Sequence, residues 1–382
     1  MAKDSAEREA PKTNRSLKSV VSDLNEKFGE VTAAGSEALE IDIPRLSTGI
    51  FALDFASGGG IPMWRFSEIY GMKSSGKTTM SLRVCAEAQK TCRNCYVYLS
   101  SCTCGKKVPM RVVYIDVEGK LDEAWAIHLG VDMNKDGQNP CYVSKPDSAE
   151  QTGNIVEEFI KSTAVDVLVV DSLAAMMPFD EGQQAMEKQY QGLAARILNK
   201  GIRKWTSAFN HSWTQNRRCP AVILLNQIRH KVGVLWGDPT VTPGGFGHRF
   251  ATGIEIRMWG GKVDYDDDQK TGIKFPLATT LGFEVKTSSL TTPYIQGEYK
   301  MVLANTQTKK IGDIFDEDRV LAIGMRYGII SRAEGRYLID GREYAPMETP
   351  LKSESSIVDF WMANPKEYDK VKRLLLDKIK LK

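Results

Sequence analysis

The chain has 382 residues, 42% hydrophobic and 26% charged, which is the make-up of an ordinary globular protein of roughly two or three domains. Lys and Arg number 51 against 48 Asp and Glu, a net charge of +3 that is too balanced to argue for nucleic acid by itself. No run approaches the ~20 apolar residues of a membrane helix. The polar start MAKDSAEREAPKTNRS lacks the apolar core of a signal peptide, so a cytoplasmic protein with no membrane partner is expected.

Val20, Val21, Leu24 and Phe28 recur at helical spacing and predict a short amphipathic helix over 19–31. From about residue 43 the pattern becomes strand, helix, strand. FSEIY (66–70), RVVYIDVE (111–118), VDVLVVDS (165–172) and AVILLNQI (221–228) read as buried strands, separated by helical TTMSLRVCAEAQK (78–90) and NIVEEFIKS (154–162). Continuous Val/Ile/Leu runs alternating with helices predict an α/β fold with a mainly parallel twisted sheet. GIEIRMW, LGFEVKTS and EYKMVLA are expected to complete it as antiparallel strands. Beyond residue 310 a helix, two short strands and a helical end predict a small α/β domain. The expected division is an arm at 1–42, a core at 43–309 and a C-terminal domain at 310–382.

Gly71-Met72-Lys73-Ser74-Ser75-Gly76-Lys77-Thr78 fits G-x-x-x-x-G-K-[ST]. About one chain in a hundred of this length would match by chance, and here a strand precedes it and a helix follows. Glycines let backbone amides wrap phosphates, the helix N-terminus favours an anion, Lys77 reaches the β- and γ-phosphates, and the Thr78 hydroxyl takes magnesium. ATP and Mg2+ are the implied ligands. Asp171 ends a buried strand at the ligand edge and is the expected magnesium-side partner of Thr78. Asp116 and Glu118 end another strand on one face. Spacing alone leaves open which of them orients the attacking water.

Seven cysteines in a reducing compartment read as thiols or metal ligands. Cys92, Cys95, Cys102 and Cys104 form C-x-x-C-x6-C-x-C, four thiolates able to complete a structural zinc site, with reduced thiols or a labile disulfide as alternatives. Cys85, Cys141 and Cys219 read as core thiols. Asp132–Gly137 opens like a calcium loop, but Val143 stands where the glutamate belongs.

GMKSSGKTT, VEGKLDEAWAIHLGVD, VSKPDSAEQ, VDVLVVDSLAAM, QGLAARIL, LLNQIRHKVGVLWGDPTVTPGG and FWMANPKEYDKVKRLLL occur in this order, and together they resemble the bacterial RecA recombinase family over roughly 17–380. The resemblance implies a RecA-like P-loop ATPase core that forms helical self-filaments on single-stranded DNA, engages double-stranded DNA and drives strand exchange. It makes Glu118 the catalytic glutamate, places Asp122 and Trp125 against adenine, and includes Thr79 and Ser172 in the nucleotide pocket. It makes Gln227 the γ-phosphate sensor and Lys286 a residue reaching the neighbouring subunit's ATP. The N-terminal helix would pack on the next subunit.

Two loops, about 181–193 and 229–246, are then expected to bind DNA. Arg196, Arg203, Arg229 and Lys231 would neutralise phosphates, Val232 would wedge between base triplets, and Gly244 and Gly245 would offer backbone amides. The chain departs from the family at Gln191, Phe246 and Ser288, in the cysteine insertion, and in ending DKIKLK without an acidic tail. Rival readings are a ring-forming DNA motor and a signalling ATPase with the same core.

Overall fold

The computed structural model describes residues 16–29, 43–178, 193–216, 218–230, 240–241, 252–268, 272–333, 335–344 and 353–378. Met1–Ile43 and Pro44–Lys382 form two separate units. In the first, helix α1 (Leu17–Phe28) begins where the Ser16 hydroxyl accepts a hydrogen bond from the Ser19 amide, and Gly29 ends it at φ +83°. Leu17, Leu24 and Phe28 on this helix are exposed.

The second unit opens with β1 (Arg45–Leu46), α2 (Phe51–Ala56) and β2 (Ile61–Pro62). Then come β3 (Phe66–Gly71), α3 (Lys77–Gln89), β4 (Val112–Asp116), α4 (Glu123–His128), β5 (Tyr142–Ser144), α5 (Ala149–Ser162), β6 (Val167–Asp171), α6 (Leu193–Asn216) and β7 (Ala221–Gln227). A short pair, β8 (Arg229–His230) and β9 (Thr240–Val241), precedes the long hairpin β10 (Thr252–Asp268) and β11 (Ile273–Ser288), then β12 (Ile295–Val302) and β13 (Ile314–Phe315). The C-terminal part is α7 (Glu317–Arg326), β14 (Ile330–Ala333), β15 (Arg336–Ile339), β16 (Arg342–Glu343), α8 (Glu354–Ala363) and α9 (Pro365–Lys378).

Nine strands form one sheet in the order β13-β12-β11-β10-β3-β7-β6-β4-β5. The six from β10 to β5 run parallel, and β11, β12 and β13 are antiparallel additions. This is the fold class the strand and helix pattern predicts, with one correction. GIEIRMW enters parallel to β3, with Thr252 opposite Phe66, and antiparallel pairing begins only with its hairpin partner.

Alternation explains why both faces are covered. Val167, Val169, Ile223 and Leu225 point to one apolar cluster with Met80, Val84 and Cys85 of α3. Leu168, Val170, Val222 and Leu224 point to the other, with Val156 and Ile160 of α5 and Leu198, Ile202 and Trp205 of α6. Strands buried on both sides are apolar at nearly every position, which is the run seen at 167–170 and 221–225. A third cluster joins Val320, Ile330, Tyr337, Ile357, Trp361 and Leu375 of the C-terminal part to Phe51 of α2. Cys85, Cys141 and Cys219 are buried, as expected. No described helix is long and apolar enough to cross a membrane.

Trp205 is fully buried, and its indole N–H donates to the Gly153 carbonyl at 2.8 Å. Trp205→Ala is therefore expected to cost about 3–5 kcal/mol in urea unfolding at unchanged m-value. A loss below about 1 kcal/mol would contradict this packing.

Candidate nucleotide and metal sites

The parallel ladder brings the functional strand ends level. Gly71 lies opposite Gln227, and Asp116 opposite Asp171. The Val117 and Glu118 amides donate to the Asp171 carbonyl at 2.8 and 3.1 Å, so the chain leaving β4 is tied to the end of β6.

The loop between β3 and α3 depends on two glycines. A side chain at Gly71 would meet the Met258 carbonyl oxygen at 2.2 Å and Ser75 Oγ at 2.6 Å. Gly76 has φ +85°, and a Cβ there would lie 2.8 Å from Leu281 Cδ1. Ser74 also turns left-handed, at φ 61°. The loop is thereby wrapped around the N-terminus of α3, whose first-turn amides have no acceptors within the helix. Ser75 Oγ is buried without a partner. An orphaned hydroxyl beside unpaired amides fits a phosphate.

Lys77 Nζ donates to the carbonyls of Gly71 at 3.2 Å and Met72 at 2.7 Å. Burial lowers its pKa, while the Asp171 and Glu118 carboxylates act to raise it. Thr78 Oγ1 donates to Asp171 Oδ2 at 2.8 Å, and the buried Tyr114 hydroxyl donates to the same oxygen at 2.6 Å. Burial pushes the Asp171 carboxyl above the usual range, opposed by these two hydrogen bonds. A hydroxyl and a carboxylate in direct contact fit the donor set of a magnesium ion.

Glu118 lies two residues past β4 and gathers three donors. Ser172 Oγ and Gln227 Nε2 each reach Oε1 at 2.7 Å, and Lys120 Nζ reaches Oε2 at 3.1 Å. Burial acts to raise its pKa, but these hydrogen bonds and the Lys120 charge outweigh it and hold it below the ordinary glutamate value. Asp116 is different. It is buried, and its two oxygens accept the Lys120 and Leu121 amides, so it shapes the turn. Asp122 caps α4 by accepting from the Trp125 amide at 2.9 Å, and the Trp125 indole N–H donates to Thr79 Oγ1 at 3.3 Å.

Sequence-predicted residues Ser74, Ser75, Lys77, Thr78, Thr79, Glu118, Trp125, Asp171, Ser172 and Gln227 thus converge at one sheet edge. Lys286 does not join them. It lies on β11, 3.5 Å from Glu284 Oε1 and 5.7 Å from the centre of the Tyr294 ring. Arg196 and Arg203 are exposed on one face of α6, opposite buried Leu198, Ile202 and Trp205. Arg229 is placed by its backbone alone, in β8 opposite Val241. Lys231, Val232, Gly244 and Gly245, and nearly all of the 181–193 loop, lie outside the described residues. Sequence reasoning missed Tyr114. Its one available signal was a polar aromatic inside an otherwise aliphatic strand neighbouring β6.

Away from the nucleotide edge, the four Sγ atoms of Cys92, Cys95, Cys102 and Cys104 lie within 4.8 Å of one another. Three separations are 3.7 Å (92–104), 3.4 Å (95–102) and 3.3 Å (102–104). Four sulfurs at about 2.3 Å from one zinc ion would stand about 3.8 Å apart, so the cluster fits that ion with small adjustments.

A phosphate loop at the head of a parallel sheet, with a hydroxyl–carboxylate pair and a glutamate at the same edge, defines the class of P-loop ATPases. The RecA N-terminal domain family matches residues 15–279. Similar curated proteins include Protein RecA of Aquifex pyrophilus, 34% identical over 339 residues, covering 87% of this chain and 86% of that protein. Protein RecA of Teredinibacter turnerae is 32% identical over 332 residues (86% and 84%), and that of a Wolbachia from Drosophila simulans is 32% identical over 367 (94% and 91%). This chain belongs to the RecA family.

Tyr114→Phe removes a hydrogen bond that lowers the Asp171 pKa, so that pKa rises further. A carboxylate binds a cation only when ionised, so with magnesium held at Asp171, as proposed below, activity is lost as pH falls through its pKa. The acid limb of the ATPase profile is therefore expected to move to higher pH in the variant. An unchanged or lowered limb would show that Tyr114 does not set this group.

Proposed function

We propose that this chain is an ATP-dependent DNA recombinase that forms helical filaments on single-stranded DNA, pairs it with homologous duplex and drives strand exchange in recombination and repair. One observation carries the link between the ATP site and DNA. Gln227, whose amide touches Glu118, ends β7 only two residues before Arg229, so the contact at the nucleotide is joined by the shortest possible chain to the loop assigned to DNA. A side-chain amide can hold Glu118 or turn to a phosphate oxygen, which gives a two-position switch.

In this reading the loop amides and Lys77 bind the phosphates, and Trp125 and Asp122 take the adenine. Thr78 and Asp171 hold Mg2+, which supplies charge neutralisation on the phosphates when bound. Glu118, ionised and oriented by Ser172, positions the attacking water and takes its proton. Arg196, Arg203, Arg229, Lys231, Val232, Gly244 and Gly245 engage DNA, and Lys286 acts across the subunit boundary. The arm 1–42, core 43–309 and C-terminal part 310–382 are the working divisions, the last sharing its apolar cluster with Phe51 of the core and one compact unit with it. A cytoplasmic location accords with the reading.

Glu118→Gln is expected to reduce DNA-stimulated ATP turnover about 10²–10⁴-fold with nucleotide binding retained, and Lys77→Ala to abolish both turnover and strand exchange. Electron microscopy with single-stranded DNA and a non-hydrolysable ATP analogue should show filaments. Closed hexamers alone would favour a ring-forming motor, and turnover indifferent to DNA would favour a signalling ATPase.

We also infer that Cys92, Cys95, Cys102 and Cys104 hold one structural Zn2+. Four protein sulfurs leave no open position, so the ion would fold the insertion and take no part in turnover. Elemental analysis of the purified chain should find one zinc per chain, lost in Cys95→Ser/Cys102→Ser. Metal-free protein with four titratable thiols would refute this.

A further inference from the structure

The cysteine insertion joins the C-terminal end of α3 to the start of β4, at the edge of the sheet opposite the phosphate loop. Its inner side is fixed to the core by bonds that need no metal. Arg93 and Arg218 both pair with the buried Asp166, at 3.0 and 2.7 Å. The Trp64 indole donates to Tyr96 Oη at 3.2 Å and packs against Trp213 of α6, ring centres 5.0 Å apart. Its outer side does something else. Tyr98 and Ser101 lie in the six residues between the two cysteine pairs, and both receive Arg373 of α9. The guanidinium stands 4.3 Å from the centre of the Tyr98 ring, and its NH1 donates to Ser101 Oγ at 2.7 Å. The Tyr98 hydroxyl in turn donates to Glu87 of α3 at 2.5 Å.

Other groups of α9 face this side of the core as well: the Lys372 charge acts on Glu87 and Asp316, and Val371 and Leu375 pack in the apolar cluster that holds Phe51 of α2. A cavity of about 680 Å³ separates the end of α3 from α8 and α9, lined by Arg83, Glu87, Asp316, Tyr368 and Lys372 among others. Arg83 Nε, Asp316 Oδ1 and Tyr368 Oη are buried without partners. Such a seam is hollow and leaves buried polar atoms unpaired, so packing closes it only in part. Arg373 crosses it to reach the knuckle.

We propose that the cysteine knuckle is a metal-set docking surface for the chain's own helix α9, with Tyr98 and Ser101 as the seat and Arg373 as the docked group. This rests on the zinc reading above, because the cysteine pairs fix both ends of the segment that carries the seat. A planar guanidinium is suited to the role, since it can lie over an aromatic face while its edge hydrogen-bonds.

Hydrogen exchange read by mass spectrometry on the full-length, zinc-loaded protein tests it. Arg373→Ala should keep one zinc per chain, leave β6 and β7 protected, and speed exchange in 365–378 about tenfold. Removing zinc with a chelator should do the same to 365–378, which avoids relying on a cysteine variant that fails to fold. Unchanged α9 exchange in Arg373→Ala overturns the docking, whatever the metal content. Faster exchange in Arg373→Ala but not after zinc removal leaves zinc binding intact and overturns the metal's control of the seat. A preparation that never held zinc sinks both the zinc site and the metal dependence proposed here.

Discussion

Four parallel strands, β3, β7, β6 and β4, end in two level pairs, with β7 running about two residues past β6, and the chemistry follows from that register. A shift of one residue in any of them would turn its terminal side chain to the other face of the sheet. Gln227 would then leave Glu118, and Asp171 would leave Thr78. Register is fixed by burial on both faces, since Val167 to Val170 and Ala221 to Leu225 alternate between two apolar clusters. The apolar core therefore positions the polar groups at its rim, and through Tyr114 it reaches one of them directly.

Three carboxylates at this edge show how position divides labour. Asp116 is spent on two backbone amides and shapes the turn. Asp171 is also buried, and burial raises its pKa against two hydroxyl donors. Glu118 is more open and is held ionised by its donors. A lowered pKa makes it a weak base, suited to orienting a water molecule and taking its proton late.

Much of this was legible in the sequence because its causes are local. The phosphate loop needs glycine where Gly71 and Gly76 meet Met258 and Leu281, and the spacing of those glycines is visible in one dimension. Buried parallel strands announce themselves as aliphatic runs. The choice between Asp116 and Glu118 was not legible from spacing, because it turns on which donors each carboxylate meets, backbone amides for Asp116 and distant side chains for Glu118. Tyr114, the Asp166 pair with Arg93 and Arg218, and the reach of Arg373 to Tyr98 join residues about 50 to 275 positions apart, and no local pattern encodes such meetings. β10 was misjudged for a related reason, since strand direction depends on how the chain returns to the sheet.

The long hairpin has a consequence for assembly. Beyond Gly260, β10 no longer has β3 beside it, and Tyr265 to Asp268 pair only with Ile273 to Pro276. Ile273 and Phe275 stand exposed there beside acidic neighbours such as Asp266. A bare two-stranded ribbon leaves outer backbone groups open to a further strand from another molecule. At such an edge, unwanted pairing is held off by charge, a bulge or a covering segment.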